Sequence, residues 1–504
     1  MENSPALYIL AAFPVLLLLS LMAGLRWSAQ KAGPTAWLAG AACAAAWFGL
    51  TWQVWWVSQA RGLLLSLFVL AVLWPALFLY RLADEAGAIR ALAGGLENMV
   101  ADRGLLLVVI AWAFGGALEG LAGFGIPIAV AAPMLVALGV EPLAAVAAVA
   151  VGHSWSVTFG DMGVIFQTLI AVVKMDAVEL VGASVLLLGV ACILCGLGSA
   201  LILGQARQAP RVVLLGTVMA LVQYGLAAAG LYPLGALGAG LAGIGGAALL
   251  ARKPAGASQA PFPRTLKAAL ASYGGLALVL TILALPGPLH TVLEGFAWRP
   301  VFPAVATRVG FTTPAGPGTV FRFFLHPGAA ILLAGLASAA GYRRAKLIEA
   351  GAWRKALRGT VKLALPVSIG VTSAVCLSTL MEHSGMTQLL AEGLAALMGP
   401  IYPLVSPLVG ILGAFATGSN NNSNVLFAPL QKRVAELLGA DPRVLIAAQT
   451  TGGGLGSMLA PAKVAVGVAT VNAAGKEGLV MRRTIPYGLA AGLLIGLITL
   501  LLAG

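Results

Sequence analysis

Apolar runs of about eighteen residues or more follow one another along the chain, separated by short polar or basic stretches, and each can cross a bilayer core as a helix. The pattern predicts spans near 6–25, 34–57, 62–82, 104–121, 179–204, 211–231, 233–251, 266–285, 323–342, 360–381, 400–419 and 486–503. Two stretches, 122–172 and 420–475, are as apolar but are interrupted by glycine, proline and polar residues. Broken backbone at that depth must line a cavity or be buried in protein, so these read as half-helices and re-entrant hairpins with another crossing or two each. Segments 83–103 and 343–359 read as amphipathic or loop connections, and 286–322 as a polar, proline-rich excursion. The expectation is an all-α polytopic membrane protein with about 12–14 transmembrane helices.

Composition agrees and removes other classes. Of 504 residues, 60% are hydrophobic and only 9% charged, against roughly 25% charged in soluble domains. The net charge of +13 sits in short loops, as the positive-inside rule expects, so it does not point to nucleic acid. The densest basic loop, 341–359, is expected in the cytoplasm with Arg26, Lys31, Arg81, Arg90, Arg103, Arg207, Arg211, Arg252, Lys253, Arg482 and Arg483. Alternating crossings then put both termini outside, in a cell (plasma or inner) membrane. Cys43, Cys192, Cys195 and Cys376 all fall in apolar spans, where packing outweighs thiol chemistry. The start "MENSP" lacks a basic n-region, so the first span reads as a retained anchor.

A repeat is visible inside the interrupted stretches. Ala132-Pro133 answers Ala428-Pro429, Gly139 to Pro142 answers Gly439 to Pro442, and Gly152 answers Gly452. Loop charges start the first unit from the cytoplasm and the second from outside, so the two repeats are expected to be inverted, as in secondary transporters. The implied division is 1–103, N-terminal helices; 104–204, first repeat; 205–359, connecting helices and loops; 360–475, second repeat; and 476–504, the last helix.

The chemistry concentrates at the interruptions. "ATGSNNNSNVLFAP" places four asparagines in greasy surroundings. Asn and Ser suit caps and turns better than helix interiors, so the helix is expected to break from Gly418 to Asn424 and restart near Val425, with Pro429 in its first turn. Free N–H groups at a helix start favour an anion such as a carboxylate. In "FGGALEGLAGFGIPIAVAAP", Gly120, Gly123 and Gly125 are expected to loosen the helix and Pro127 to open the next. Glu119 there either pairs with a cation, holds a proton, or bonds to unwound backbone. "GHSWSVTFGDMG" brings His153 and Asp161 to similar depth, and "TTGGGLGSMLAPAK" adds Thr450, Thr451 and Lys463. No strand-turn-helix context supports a phosphate loop. Aligned repeats set Asp161 against Pro461, which predicts an Asp161–Lys463 pair near the midplane, the alternative being a snorkelling lysine and a capping aspartate.

"LEGLAGFGIPIAV", "TGSNNNSNVLFA" and "TTGGGLGSMLAPAK" resemble the signature segments of the L-lactate permease family. The resemblance implies import of lactate, and often glycolate, with protons, and its glutamate falls on Glu119. Its Thr-Gly-Ser-x-x-Ser-Asn run falls on Thr417, Gly418, Ser419, Ser423 and Asn424. Some members carry aspartate where Asn420 stands and lysine where Ser457 stands, and the run holding His153 and Asp161 differs from uncharged counterparts. The paired breaks also resemble the hairpins of the wider ion transporter superfamily, which implies an elevator-like motion.

The expected function is a secondary transporter, not an enzyme, for small 2-hydroxymonocarboxylates by proton symport, with a sodium-coupled or uncoupled carboxylate carrier as the alternative. Candidate substrate-binding residues are Thr417, Ser419, Asn420, Asn421, Asn422, Ser423, Asn424, Gly123, Gly125, Thr450, Thr451 and Lys463. Candidate proton-coupling residues are Glu119, His153 and Asp161. No metal or other cofactor is expected; partners are the carboxylate, protons and lipids, and a homodimer is left open.

Overall fold

The computed structural model describes residues 5–87, 96, 99–121, 123, 125–251, 264–284, 287–349 and 351–504. Arg90, Arg252, Lys253 and residues 88–95 and 97–98 of the expected connection at 83–103 lie outside the described residues. Among the described residues, ten helical segments are long and apolar enough to cross a membrane, or eleven if the bent pair Gly274–Leu283 and Pro288–Glu294 counts as one. Helices also cover the expected spans 34–57 and 323–342, as Ala29–Trp47 and Pro327–Arg344. Gln30 and Lys31 dilute the apolarity of the first, Arg343 and Arg344 that of the second. The chain is thus a multi-pass helical membrane protein.

Two boundaries differ from expectation for a local reason. The second span stops at Trp47; Gly49 turns through φ +63°, and Thr51 caps the helix Trp52–Glu85 by accepting from the Val54 N–H at 3.2 Å. Hydropathy alone runs across this cap. The excursion at 286–322 is a short helix, Pro288–Glu294, then one hairpin of nested antiparallel pairs: Ala297–Trp298 with Phe321–Arg322, Val301–Phe302 with Gly316–Pro317, and Val305–Ala306 with Thr312–Thr313. Its tip is tied to the Gly49 turn by an Arg308 N–H to Gly49 carbonyl bond of 2.8 Å.

The two interrupted stretches run through the same order of elements. In the first, Arg103–Leu121 (with a π turn at Ile110–Phe114) leads to a break, Ile126–Ala137, Pro142–His153, a 3₁₀ turn, and Val164–Val173. In the second, Tyr402–Thr417 leads to a break, Asn420–Leu438, Pro442–Gly456, a 3₁₀ turn, and Pro461–Thr470. Residues that match in sequence take matching local roles. Gly139 and Gly439 are both left-handed (φ +87° and +68°). Glu141 and Asp441 both cap a helix opened by proline, accepting from Leu143 and Ala144 N–H in one and Arg443 N–H in the other. The first hairpin returns to where it began, since Arg103 donates to the Leu138 carbonyl at 2.7 Å.

Glycine lets these helices touch backbone to backbone. A Cβ on Gly452 would sit 2.0 Å from the Pro407 carbonyl oxygen, one on Gly410 2.2 Å from that of Gln449, and one on Gly152 2.3 Å from that of Ala111. Gly120 belongs with them: it packs against the backbone of Leu237, where a Cβ would approach N to 2.4 Å, inside a helix that continues to Leu121. It is a close-packing position, not a loosened one. Overpacking a tight core costs about 1–3 kcal/mol, so Gly452→Ala is expected to lower the thermal midpoint in detergent clearly. Gly478→Ala, with nothing within 4 Å of its Cβ, should leave it level or raise it; equal shifts for the two would contradict the packing account.

Candidate functional site

The break in the second unit is shorter than the sequence suggests. Only Gly418 (φ +71°) and Ser419 (extended) leave the helix, which restarts at Asn420 rather than near Val425, and Pro429 lies well inside it. The asparagines therefore occupy the opening turns, where backbone N–H groups lack intrahelical partners anyway. Ser419 Oγ caps this end, facing the Asn422 N–H at 3.5 Å. Asn is tolerable here because its amide has partners outside the helix. Asn420 Nδ2 donates to the Thr450 carbonyl at 3.1 Å and to Thr158 Oγ1 at 3.3 Å; Asn424 Nδ2 donates to Thr450 Oγ1 at 2.9 Å. Gln449 Nε2 donates to Ser423 Oγ at 3.0 Å. Thr450, Ser423 and Asn424 are thus buried connectors, and Thr158 and Gln449 join them unforeseen. Thr158 ties the two units together.

In the first unit, Gly125 (φ +83°) opens Ile126–Ala137 with Pro127 in its first turn, as expected. The Gly123 N–H, freed by the break, donates to Asp161 Oδ1. Asp161 follows extended Gly160, itself in left-handed backbone (φ +49°), the place that Pro461 holds after Ala460 in the second unit. Glu119 is 1% exposed on the last turn before the break. A Cβ on Gly123 would lie 2.8 Å from both Glu119 Oε1 and Asp161 Oδ2, so the two carboxylates are at most twice that apart.

Lys463 approaches this pair from the second unit, but its partner is Glu119, not Asp161: Nζ lies 3.5 Å from Glu119 Oε1. The expected Asp161–Lys463 pair fails because Asp161 turns onto the freed Gly123 N–H. His153 is fully buried behind Glu119, with Nε2 3.9 Å from Oε2. Its Nδ1 faces the Val149 carbonyl at 2.7 Å, and since a carbonyl only accepts, the ring proton sits on Nδ1. Nε2 faces a carboxylate oxygen, and neither atom has a hydrogen-bond partner.

These groups border a cavity of about 290 Å³. Glu119, Asp161, Lys463, Thr417, Ser419 and Asn420 to Asn422 line its polar side, while Val69, Leu73, Val367 and Val371 from Trp52–Glu85 and Ala352–His383 form an apolar wall. Gly123, Gly125, His153, Ser423, Asn424, Thr450 and Thr451 are not among its lining residues. They shape it from behind. The valine wall carries no sequence signal that separates it from ordinary core.

A cavity lined by a buried cation and buried acids, where interrupted membrane helices meet, is the arrangement of a membrane transporter. The family model described as L-lactate permease matches residues 7–258 and 304–504, and this chain belongs to that family. An L-lactate permease of Bacillus subtilis is 30% identical over 84% of this chain and 83% of its own. "Glycolate permease GlcA" of Escherichia coli is 26% identical over 86% and 85%. The solved YdaH transporter of Alcanivorax borkumensis aligns at a TM-score of 0.48 and 18% identity over 85% and 84% of the two chains, a level that supports no inference.

Contact between Lys463 and Glu119 can be measured. Residues in direct contact couple by about 0.5–3 kcal/mol. Combining Glu119→Gln with Lys463→Met should therefore destabilise the protein by less than the two losses added. Additive losses, or stronger coupling of Lys463 to Asp161→Asn, would contradict this geometry.

Proposed function

We propose that this protein carries small 2-hydroxymonocarboxylates, lactate or glycolate, across the membrane by proton symport. Membership of the L-lactate permease family and the names of its relatives support the substrate class. The observation that carries the coupling is Glu119, with Lys463 on one oxygen and the bare His153 Nε2 opposite the other. In the empty site the Glu119 carboxylate offsets the Lys463 ammonium. An arriving carboxylate, held also by the helix start at Asn420, takes over Lys463. Glu119 is left as a surplus buried charge, which is expensive there, unless a proton joins it. A proton between Glu119 Oε2 and His153 Nε2 satisfies two acceptors at once. The loaded site then has the net charge of the empty one, so anion and proton cross together.

The matched order of elements supports two inverted units, with the cavity between them and the helix pair that supplies the valine wall. Sliding against that apolar wall breaks few polar contacts, which suits an elevator-like motion. On this reading both termini face outward. A sodium-coupled carrier is the second reading. It is favoured by four buried side-chain oxygens without partners, Oδ1 of Asn420, Asn421, Asn422 and Asn424, a donor type that suits a hard cation.

Proteoliposomes decide between them. Uphill lactate uptake should follow an imposed pH gradient and ignore a sodium gradient. Glu119→Gln should retain lactate–lactate exchange and lose accumulation. Accumulation driven by sodium alone, or unchanged in Glu119→Gln, would reject the proton assignment.

A further inference from the structure

A second cavity, about 550 Å³, lies between the same two walls, displaced toward the Lys174 end. Along Ala352–His383 the lining moves from Val367, Gly370 and Val371 in the first cavity to Ser378, Thr379, Glu382 and His383 in the second. Along Trp52–Glu85 it moves from Val69 and Leu73 to Arg61, Leu65 and Phe68, and in the first unit from Val164 and Ile165 to Gln167 and Ile170. At 1.5 Å rise per residue the centres of the two sets are about 17 Å apart along Ala352–His383 and about 10 Å apart along Trp52–Glu85. They are successive stations along one interface.

The polar groups of this second station have no place in the mechanism above. Arg61 lies ten residues into a membrane-spanning helix, where an unneeded charge is costly. Its neighbours satisfy it only in part. One Nη donates to the Gly316 carbonyl at 3.2 Å, the other to that of Pro317 at 3.5 Å, and the guanidinium lies 4.8 Å over Phe302, but Nε is buried and has no partner. His383 is 1% exposed; its Nδ1 is used on the Thr379 carbonyl at 2.8 Å, while Nε2 is buried without a partner. Lys174, at the end of Val164–Val173, crosses the interface to Glu382 at 2.6 Å. Asp176, Glu179 and Arg322 complete the charged lining. A fixed guanidinium, and an ammonium whose acid partner an incoming anion can replace, form a receptor for a carboxylate.

We propose that this cavity is a second carboxylate-binding site, a vestibule in which Arg61 holds a small monocarboxylate anion before it passes to Lys463, with Lys174 released from Glu382 as the anion arrives. The proposal rests on the transport reading for the identity of its ligand, but not for its location. The vestibule binds more weakly than the inner site, because its ligand remains partly in water and must displace an existing ion pair.

Two measurements with L-lactate on the full-length protein test it. Equilibrium binding of labelled lactate should give two molecules per chain, falling to one in Arg61→Gln and recovering toward two in Arg61→Lys, which keeps the charge. In transport, Arg61→Gln should raise KM about tenfold, the loss of one charge-assisted contact, and change the maximal rate much less. Should Arg61→Gln fold poorly, Thr319→Cys, at a half-buried position of the same lining, provides the second test, the four native cysteines being buried. Lactate should slow its labelling by a charged maleimide, and should still do so when Lys463→Met disables the inner site. Protection that disappears with Lys463→Met, or two lactates still bound by Arg61→Gln, would overturn the vestibule. Loss of the inner site alone would overturn the transport reading of Lys463 and leave the vestibule standing.

Discussion

The structure depends on one constraint: where a helix breaks deep inside this protein, water does not reach every backbone group that is freed, and another part of the chain must take its place. At the first break Asp161 accepts from the Gly123 N–H. At the second, Ser419 caps the restarting helix, and the asparagine amides reach Thr158 and Thr450. The Gly123–Asp161 bond ties the first unit to itself, while the bond from Asn420 to Thr158 crosses between the two units and holds them in register. Site and scaffold are therefore not separable here. Asp161, Ser419 and Asn420, which make the breaks tolerable, also line the cavity.

That satisfaction requires close approach, and glycine supplies it. A Cβ on Gly453 would collide with Asn420 Oδ1 at 1.9 Å, and one on Gly413 with Ser423 Oγ at 2.3 Å. Side chains as short as Asn and Ser can bridge neighbouring helices only because those helices have nothing between them. The glycine richness that looks like looseness in the sequence thus acts in the opposite direction, making the two units compact. By contrast, the wall contributed by Val69, Leu73, Val367 and Val371 is smooth and apolar. Polar bonds hold the units together, whereas the contacts with the wall are nondirectional, as the proposed sliding motion requires.

Much of the membrane architecture was legible in the sequence, because apolar periodicity and length report directly on burial in lipid. The positions of the breaks were legible too, since Gly418 and Gly125 are left-handed and Pro127 opens a helix as its residue type suggests. Their extent was not. Asn propensity argues for an unwound Asn420 to Asn424, but propensity is a local term, and partners on Pro442–Gly456 outweigh it. The Asp161–Lys463 expectation failed similarly: the repeat alignment set those residues near one another, yet the partner of each was decided by a few ångströms of backbone at Gly123. Arg61, His383 and Thr158 escaped notice because one polar residue on an apolar helix carries no pattern, and only the fold brings it to a cavity.

Under the symport proposal, charge conservation at the inner site explains why a carrier of anions would have an acid there at all. A site made only of lysine and amide donors would bind a carboxylate well, but on release it would leave a bare ammonium next to a valine wall. In the proposed mechanism Glu119, 3.5 Å from Lys463, removes that penalty by occupying the lysine whenever substrate does not. Under the symport proposal, the same replacement creates the demand for a proton when substrate returns. Binding strength and coupling then have one physical origin. A tighter Glu119–Lys463 contact would weaken substrate binding, whereas a looser one would let the anion bind without its proton. The 3.5 Å separation, without a formal hydrogen bond to either Glu119 oxygen, is the kind of contact that exchange between two carboxylates would require under that proposal.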